Sequence, residues 1–180
     1  MNDTERAIRS TAMKTVRPDP ALLWPAYTLF PLAGLLILYF AAAGRDPALM
    51  VIGIGLLAFN GAIVVNHLYF TSLAIHGDEL VYRSWMGLQE QRVPVGAIQR
   101  VDAKRYAGAH GGVSAPHFLA RGRSSTLRVN TKPYRLADMA ALIGRLRAAN
   151  PRLEVDEFWE KVASGEDVSK EIAPTARSRF

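Results

Sequence analysis

Two histidines bracket the glycine-rich run His110 to His117 (HGGVSAPH) of this 180-residue chain, and with Asp102 or Asp78 they are the residues best suited by type to hold a metal or move a proton. Their seven-residue separation is not the i, i+4 spacing that sets two ligands on one helical face, and no third ligand is fixed by spacing. Ser114, Ser124 and Ser125 lack the G-x-S-x-G context that raises a nucleophile above a strand. The chain contains no P-loop and no G-x-G-x-x-G after a strand; Gly53-Ile54-Gly55 falls inside a long apolar run, where close packing explains it. His67 follows that run and is of a type that ligates haem or a chlorophyll magnesium, but no second histidine stands in either apolar run to complete a haem pair. Zero cysteines exclude thiolate nucleophiles, thiolate metal sites and disulfides together. These residues predict a non-enzymatic chain with no metal and no cofactor.

The charged and aromatic residues point to binding instead. The net charge of +6 is uneven: residues 71 to 153 hold thirteen bases against five acids, whereas residues 154 to 180 carry an excess of acids. Arg121, Arg123, Arg128, Lys132 and Arg135 form a basic set suited to an acidic protein surface or to anionic lipid, which attracts each nearby base by roughly 1 kcal/mol. Nucleic acid would need exposed aromatics among them, and only Tyr134 qualifies. Further along, Val155, Phe158, Trp159 and Val162 share one face of a helix over residues 155 to 163, capped by Asp156 and stopped by Gly165. Phe158 and Trp159 either dock on the chain's own domain or anchor another subunit.

The elements that must position these groups begin with residues 21 to 70. Ala21 to Ala43 is twenty-three residues without a charge, reaching roughly 35 Å as a helix, and Pro47 to Val65 is nineteen more. Only Gly44, Arg45 and Asp46 lie between, with Gly44 expected to end the first helix in a left-handed conformation and Asp46 to cap the second. This predicts an antiparallel pair of membrane spans, bent at Pro25 and Pro31, retained as a multi-pass anchor in a cell inner membrane. Ala58 and Ala62 form a small-xxx-small pair for close approach of a helix from another membrane subunit. Asn60 hydrogen-bonds either to such a partner or within the hairpin, to a carbonyl freed by Pro31. Arg6, Arg9, Lys14 and Arg17 before the spans and Arg83 after them, against Arg45 alone in the turn, place both termini in the cytoplasm.

Residues 1 to 20 read as an N-terminal arm, and from Tyr69 the period of the pattern changes to two. Strands are expected over residues 70–75, 79–85, 88–93, 98–106, 117–120 and 126–130, with turns at His76-Gly77-Asp78 and Met86-Gly87. Arg135 to Asn150 reads as an amphipathic helix with Leu136, Met139, Ile143 and Leu146 on one face and Pro151 as its stop. The expectation is an α+β domain over residues 71 to 153, a bent antiparallel sheet closed by one C-terminal helix, followed by a separate segment, 154 to 180.

The run Arg92-Val93-Pro94-Val95-Gly96-Ala97-Ile98-Gln99-Arg100-Val101, with its V-P-x-x-x-I-x-x-V step, and the helix end Arg147-Ala148-Ala149-Asn150-Pro151 resemble the bacterial pleckstrin-homology-like (PH-like) domain of membrane-anchored proteins. The resemblance covers about residues 68 to 153. It implies a seven-stranded, strongly bent sheet closed by a helix, and a scaffolding or assembly role, in some relatives for photosynthetic or respiratory membrane complexes. Phosphoinositide-binding members hold phosphate with bases around the first hairpin, where this chain has His76-Gly77-Asp78-Glu79. Two acids there repel phosphate. The expected function is therefore an accessory or assembly subunit, with an anionic-lipid-surface sensor as the alternative.

Overall fold

The computed structural model describes residues 15–105, 116–123, 125–168 and 171. Most of the N-terminal arm, His110, Ser114 and Ser124 lie outside them.

Asp19 opens the first helix, α1 (Pro20–Gly44), by accepting the Ala21 N–H, and Asp46 opens α2 (Pro47–Val65) by accepting those of Ala48 and Leu49. Both helices place proline in the first turn, where its missing donor costs nothing. The helix stop differs by one residue from expectation. Gly44 stays helical, and Arg45 takes the left-handed conformation at φ 51°, its N–H reaching the carbonyls of Ala41 and Ala42. The α2 path continues through a wide turn over Asn66–Phe70, which ends where the Thr71 N–H donates to the Asn66 carbonyl at 2.8 Å.

The two helices meet through glycines. A Cβ placed on Gly53 would lie 2.7 Å from Leu38 Cδ2, and one on Gly34 would lie 2.9 Å from Leu57 Cδ2. Continued one turn further, this antiparallel register sets Pro31 level with Asn60, which is 5% exposed. The seam therefore runs along Gly34, Leu38, Gly53 and Leu57, and Ala58 lies off it, exposed. Because the chain is free of cysteine, a Gly34→Cys, Leu57→Cys double variant is expected to close an intramolecular disulfide under mild oxidation. The second change removes the side chain that the first would strike, leaving two Cβ atoms near the roughly 3.5–4.5 Å a disulfide requires. Thiol loss at monomer mass reads the result.

The region after the helices is built from two sheets. In the first, β1 (Ser72–His76), β2 (Glu79–Ser84) and β3 (Gln89–Pro94) pair antiparallel in that order. A short 3₁₀ turn at Val95–Ala97 leads into the second, in which β4 (Ile98–Lys104), β5 (His117–Gly122) and β6 (Thr126–Val129) are antiparallel neighbours. Helix α3 (Leu136–Ala149) lays Leu136, Met139, Leu142, Ile143 and Leu146 on the sheets. Strand β7 (Glu154–Val155) then joins the far edge of β4 in parallel, and α4 (Glu157–Ser164) follows, capped by Asp156 and stopped by Gly165 at φ 78°.

Two expectations are corrected here. A single closing helix and a boundary at residue 153 do not describe the fold: β7 completes the second sheet and α4 belongs to the same core. Nor are Phe158 and Trp159 available to another subunit, since they are 3% and 0% exposed. Trp159 meets Phe118 edge-on at 5.7 Å, and its ring N–H donates to the Asp102 carbonyl at 3.2 Å. The physical reason is that β5 and α3 leave apolar surface uncovered beyond β4, and the aromatic face of α4 lies within reach across a seven-residue connection.

Hairpin and sheets are joined on both legs. Val16 and Leu73 exchange backbone hydrogen bonds at 2.8 and 2.9 Å, the Asp19 N–H donates to the Pro133 carbonyl at 2.7 Å, and the Asp19 carboxylate pairs with Arg135. That guanidinium holds the Asp19 carboxyl below its ordinary range. The pair is thus intact at neutral pH, and its contribution is lost only as the pH falls through that lowered value. On the other leg, the Met86 N–H donates to Asn66 Oδ1 at 2.6 Å.

Candidate functional site

Four arginines come together at one end of the sheets. Arg100 on β4 stands directly opposite Arg121 on β5. Like charges facing each other across strands repel. Asp102 offsets this, accepting from Arg100 Nε at 2.5 Å and Arg121 Nε at 2.6 Å, while both guanidinium groups stay about half exposed. Arg123 follows in the β5–β6 turn, and Arg152 follows α3. With Glu154 and the backbone of Gly96–Ile98 they line an open cleft of about 950 Å³. The local balance is four guanidinium groups against the carboxylates of Asp102 and Glu154.

Asn150 shapes the floor. Its amide donates to the carbonyls of Val95 at 3.1 Å and Ile98 at 2.7 Å, and its side-chain oxygen accepts the Arg152 N–H at 3.2 Å. One side chain thus ties the end of α3 to the connection between the two sheets and aims the segment carrying Arg152. The acidic turn at His76-Gly77-Asp78 stands alongside, with the Asp78 carbonyl accepting the Val95 N–H at 2.7 Å. A phosphate-dense ligand is disfavoured by that neighbour.

The basic set expected to form one patch is split. Arg121 and Arg123 line the cleft. Arg128, on β6, donates to His117 Nδ1 at 3.3 Å, and Arg135 is paired with Asp19 at the other end of the domain. Lys132 is exposed on the turn after β6. Sequence reasoning missed Arg100, Arg152 and Asn150. Arg100 was legible as an outward position on its strand, but its pairing with Arg121 depends on a register shift between Ile98 and Arg100.

The other candidates do not converge. His117 faces Lys104 across the strands and Arg128 alongside; burial and those two cations hold its pKa below the ordinary value. Asp102 is engaged by arginines, and Asp78 is exposed on its turn. Among the described residues no group of three metal-ligating side chains gathers. His67 stacks loosely on Tyr27, ring centres 6.2 Å apart. In the hairpin, Ala58 is exposed and Ala62 half-buried, whereas Asn60 is enclosed and engaged within the chain. Of the two readings of Asn60, its enclosure on the α1 side of α2 fits the one within the hairpin rather than a contact offered to another subunit.

Both helices are long and apolar enough to cross a membrane, and only 6% and 11% of their most apolar stretches are buried within the chain. Leu29, Phe30, Leu35, Leu36, Ile54 and Phe59 are all more than half exposed. No family model, curated protein or solved structure matches the chain.

Proposed function

We propose that the chain is a non-enzymatic integral membrane accessory protein, in which the α1–α2 hairpin spans an inner membrane with both ends cytoplasmic. A PH-like module on that hairpin presents its arginine cleft to an acidic segment of another subunit, in a photosynthetic or respiratory complex if the family resemblance extends to role. The naked apolar hairpin supports the anchor, since an apolar patch of this extent in water would drive association. The order of six antiparallel strands and a covering helix supports the PH-like reading, with the departure that the seventh strand follows the helix.

The observation that carries the partner reading is the polarity of the module. Val16, Asp19 and Asn66 fasten one end to the hairpin, and the arginines occupy the other. From Ser84 to Glu79 the chain travels about 17 Å, and the fourteen residues of α3 travel about 21 Å in the same sense. Headgroups extend only about 5–7 Å beyond the hydrocarbon edge, and salt screens charge within about 8 Å. The cleft therefore stands beyond the reach of its own bilayer. This favours a protein partner over the lipid-sensor alternative.

The test uses the full chain in native membranes. Arg121→Glu with Arg123→Glu is expected to weaken partner binding at least about tenfold, or 1.4 kcal/mol, with vesicle affinity unchanged and a small fall in melting temperature, since Arg121 also pairs with Asp102. Co-purification in mild detergent and flotation with anionic vesicles read the two arms. Monomer alone from wild-type membranes, or vesicle binding lost with the charge reversal, would overturn the partner reading. Release of the chain by alkaline carbonate would overturn the anchor.

A further inference from the structure

The turn between β2 and β3 is built against its own backbone preference. Trp85, Met86 and Gly87 all have positive φ, at 52°, 54° and 79°. For a residue with a Cβ the left-handed region is sterically disfavoured, which is why such turns ordinarily carry asparagine and glycine. Here the first two positions hold a tryptophan and a methionine, and both side chains point away from the core: Trp85 is 68% exposed, Met86 45% and the following Leu88 88%. Strain of this kind persists where the side chains are held by something else.

The turn is fastened to the end of the hairpin. Met86 N–H donates to Asn66 Oδ1, and Phe70 lies against Gly87, close enough that an added Cβ there would meet its ring at 3.9 Å. Tyr69 and Phe70 are themselves exposed, as is Val65 above them. Past the half-buried Asn66 and His67, the exposed apolar surface of α2 thus resumes at Tyr69 and Phe70, beside the turn. One rung further into the sheet it ends at the Arg83–Glu90 pair, 2.6 Å apart. An apolar tip carrying tryptophan and tyrosine beneath a charged rung is the pattern of a bilayer interface.

We propose that Trp85-Met86-Gly87-Leu88 is a lipid anchor, seated in the glycerol and upper acyl region of the leaflet where the hairpin ends. This rests on the hairpin spanning the membrane. Its occupant is lipid because the turn prolongs the lipid-facing surface of α2 and is hydrogen-bonded to the residue that ends that helix. The anchor sets the tilt of the module by adding a contact outside the hairpin axis.

The chain has no cysteine, so a single probe can be placed at will. Full-length Leu88→Cys, Gln99→Cys and Leu35→Cys variants carry an environment-sensitive NBD label in phosphatidylcholine/phosphatidylglycerol nanodiscs, with nitroxide lipids as depth quenchers. The label at 88 is expected to shift to the blue and lose emission several-fold with a shallow quencher. That at 99, in the cleft, stays in water, and that at 35 responds to a deep quencher. Water-like emission at 88 with deep quenching at 35 overturns the anchor and leaves the spanning reading standing. Water-like emission at both overturns the spanning reading. A blue shift at 88 that no lipid quencher diminishes, and that fades when labelled chain is diluted with unlabelled chain, assigns the turn to a second copy and likewise overturns the proposal.

Discussion

Trp159→Ala is expected to cost the soluble module about 3–5 kcal/mol, the usual loss when a large aromatic leaves a packed core. Domains of this size hold only about 5–15 kcal/mol in reserve, so the loss is a large share of it and should lower the denaturant midpoint clearly. Three contacts go together. The ring packs edge-on against Phe118 and, at 5.0 Å, against Phe158, and its N–H is the partner of the Asp102 carbonyl. Asp102 in turn sets Arg100 and Arg121, so the cleft should lose its shape along with the core. Trp159→Phe keeps the apolar ring and loses the hydrogen bond, a change of about 1 kcal/mol for the bond with a smaller term for lost area. Denaturant unfolding followed by near-ultraviolet circular dichroism separates the two. A Trp159→Ala variant with unchanged stability and weaker partner binding would return Trp159 to the second of its two sequence readings, an anchor for another subunit.

Asn150→Asp is the second large effect, and it should exceed that of Asn150→Ala. The alanine leaves the Val95 and Ile98 carbonyls without their donor, at about 1–3 kcal/mol for each group that water cannot reach. The aspartate occupies the same space but turns an acceptor toward two acceptors. Its carboxyl is then raised above the unfolded value, so the penalty is full at neutral pH and is relieved as the pH falls through the raised value, where the protonated acid can donate once. Stability measured from pH 7 down to pH 4 should converge for the aspartate and alanine variants. Parallel curves would show that Asn150 does not carry the junction.

Much of the fold was legible because it obeys local rules. The uncharged runs, the capping aspartates Asp46 and Asp156, and the period change near Tyr69 follow from single-residue chemistry. Pro151 ends α3 close to where its geometry requires. What escaped notice is non-local. Arg135 and Asp19 are separated by most of the chain, and Asn150 and Val95 by three strands and α3. The α4 face was ambiguous for a different reason: an aromatic stripe looks the same whether it covers its own core or a neighbour's. The turn at Met86-Gly87 was legible, but Trp85 was placed at the end of its strand because propensity argues against tryptophan at positive φ. The cleft needed a register shift in β4 that no periodicity reveals.

The double attachment of the module has a mechanical consequence. A domain hung from one flexible linker samples a cone of positions, and its far end visits every elevation within its tether. Here the chain entering α1 and the chain leaving α2 are each clasped, by Asp19 with Arg135 and by Asn66 with Met86. The assembly holds the cleft at a fixed distance from the two clasps. Arg100 and Arg121 sit on β4 and β5 and Arg123 in the turn that follows, so strand length, at about 3.3 Å per residue, sets that distance, and the partner proposed above would meet the arginines at that one level.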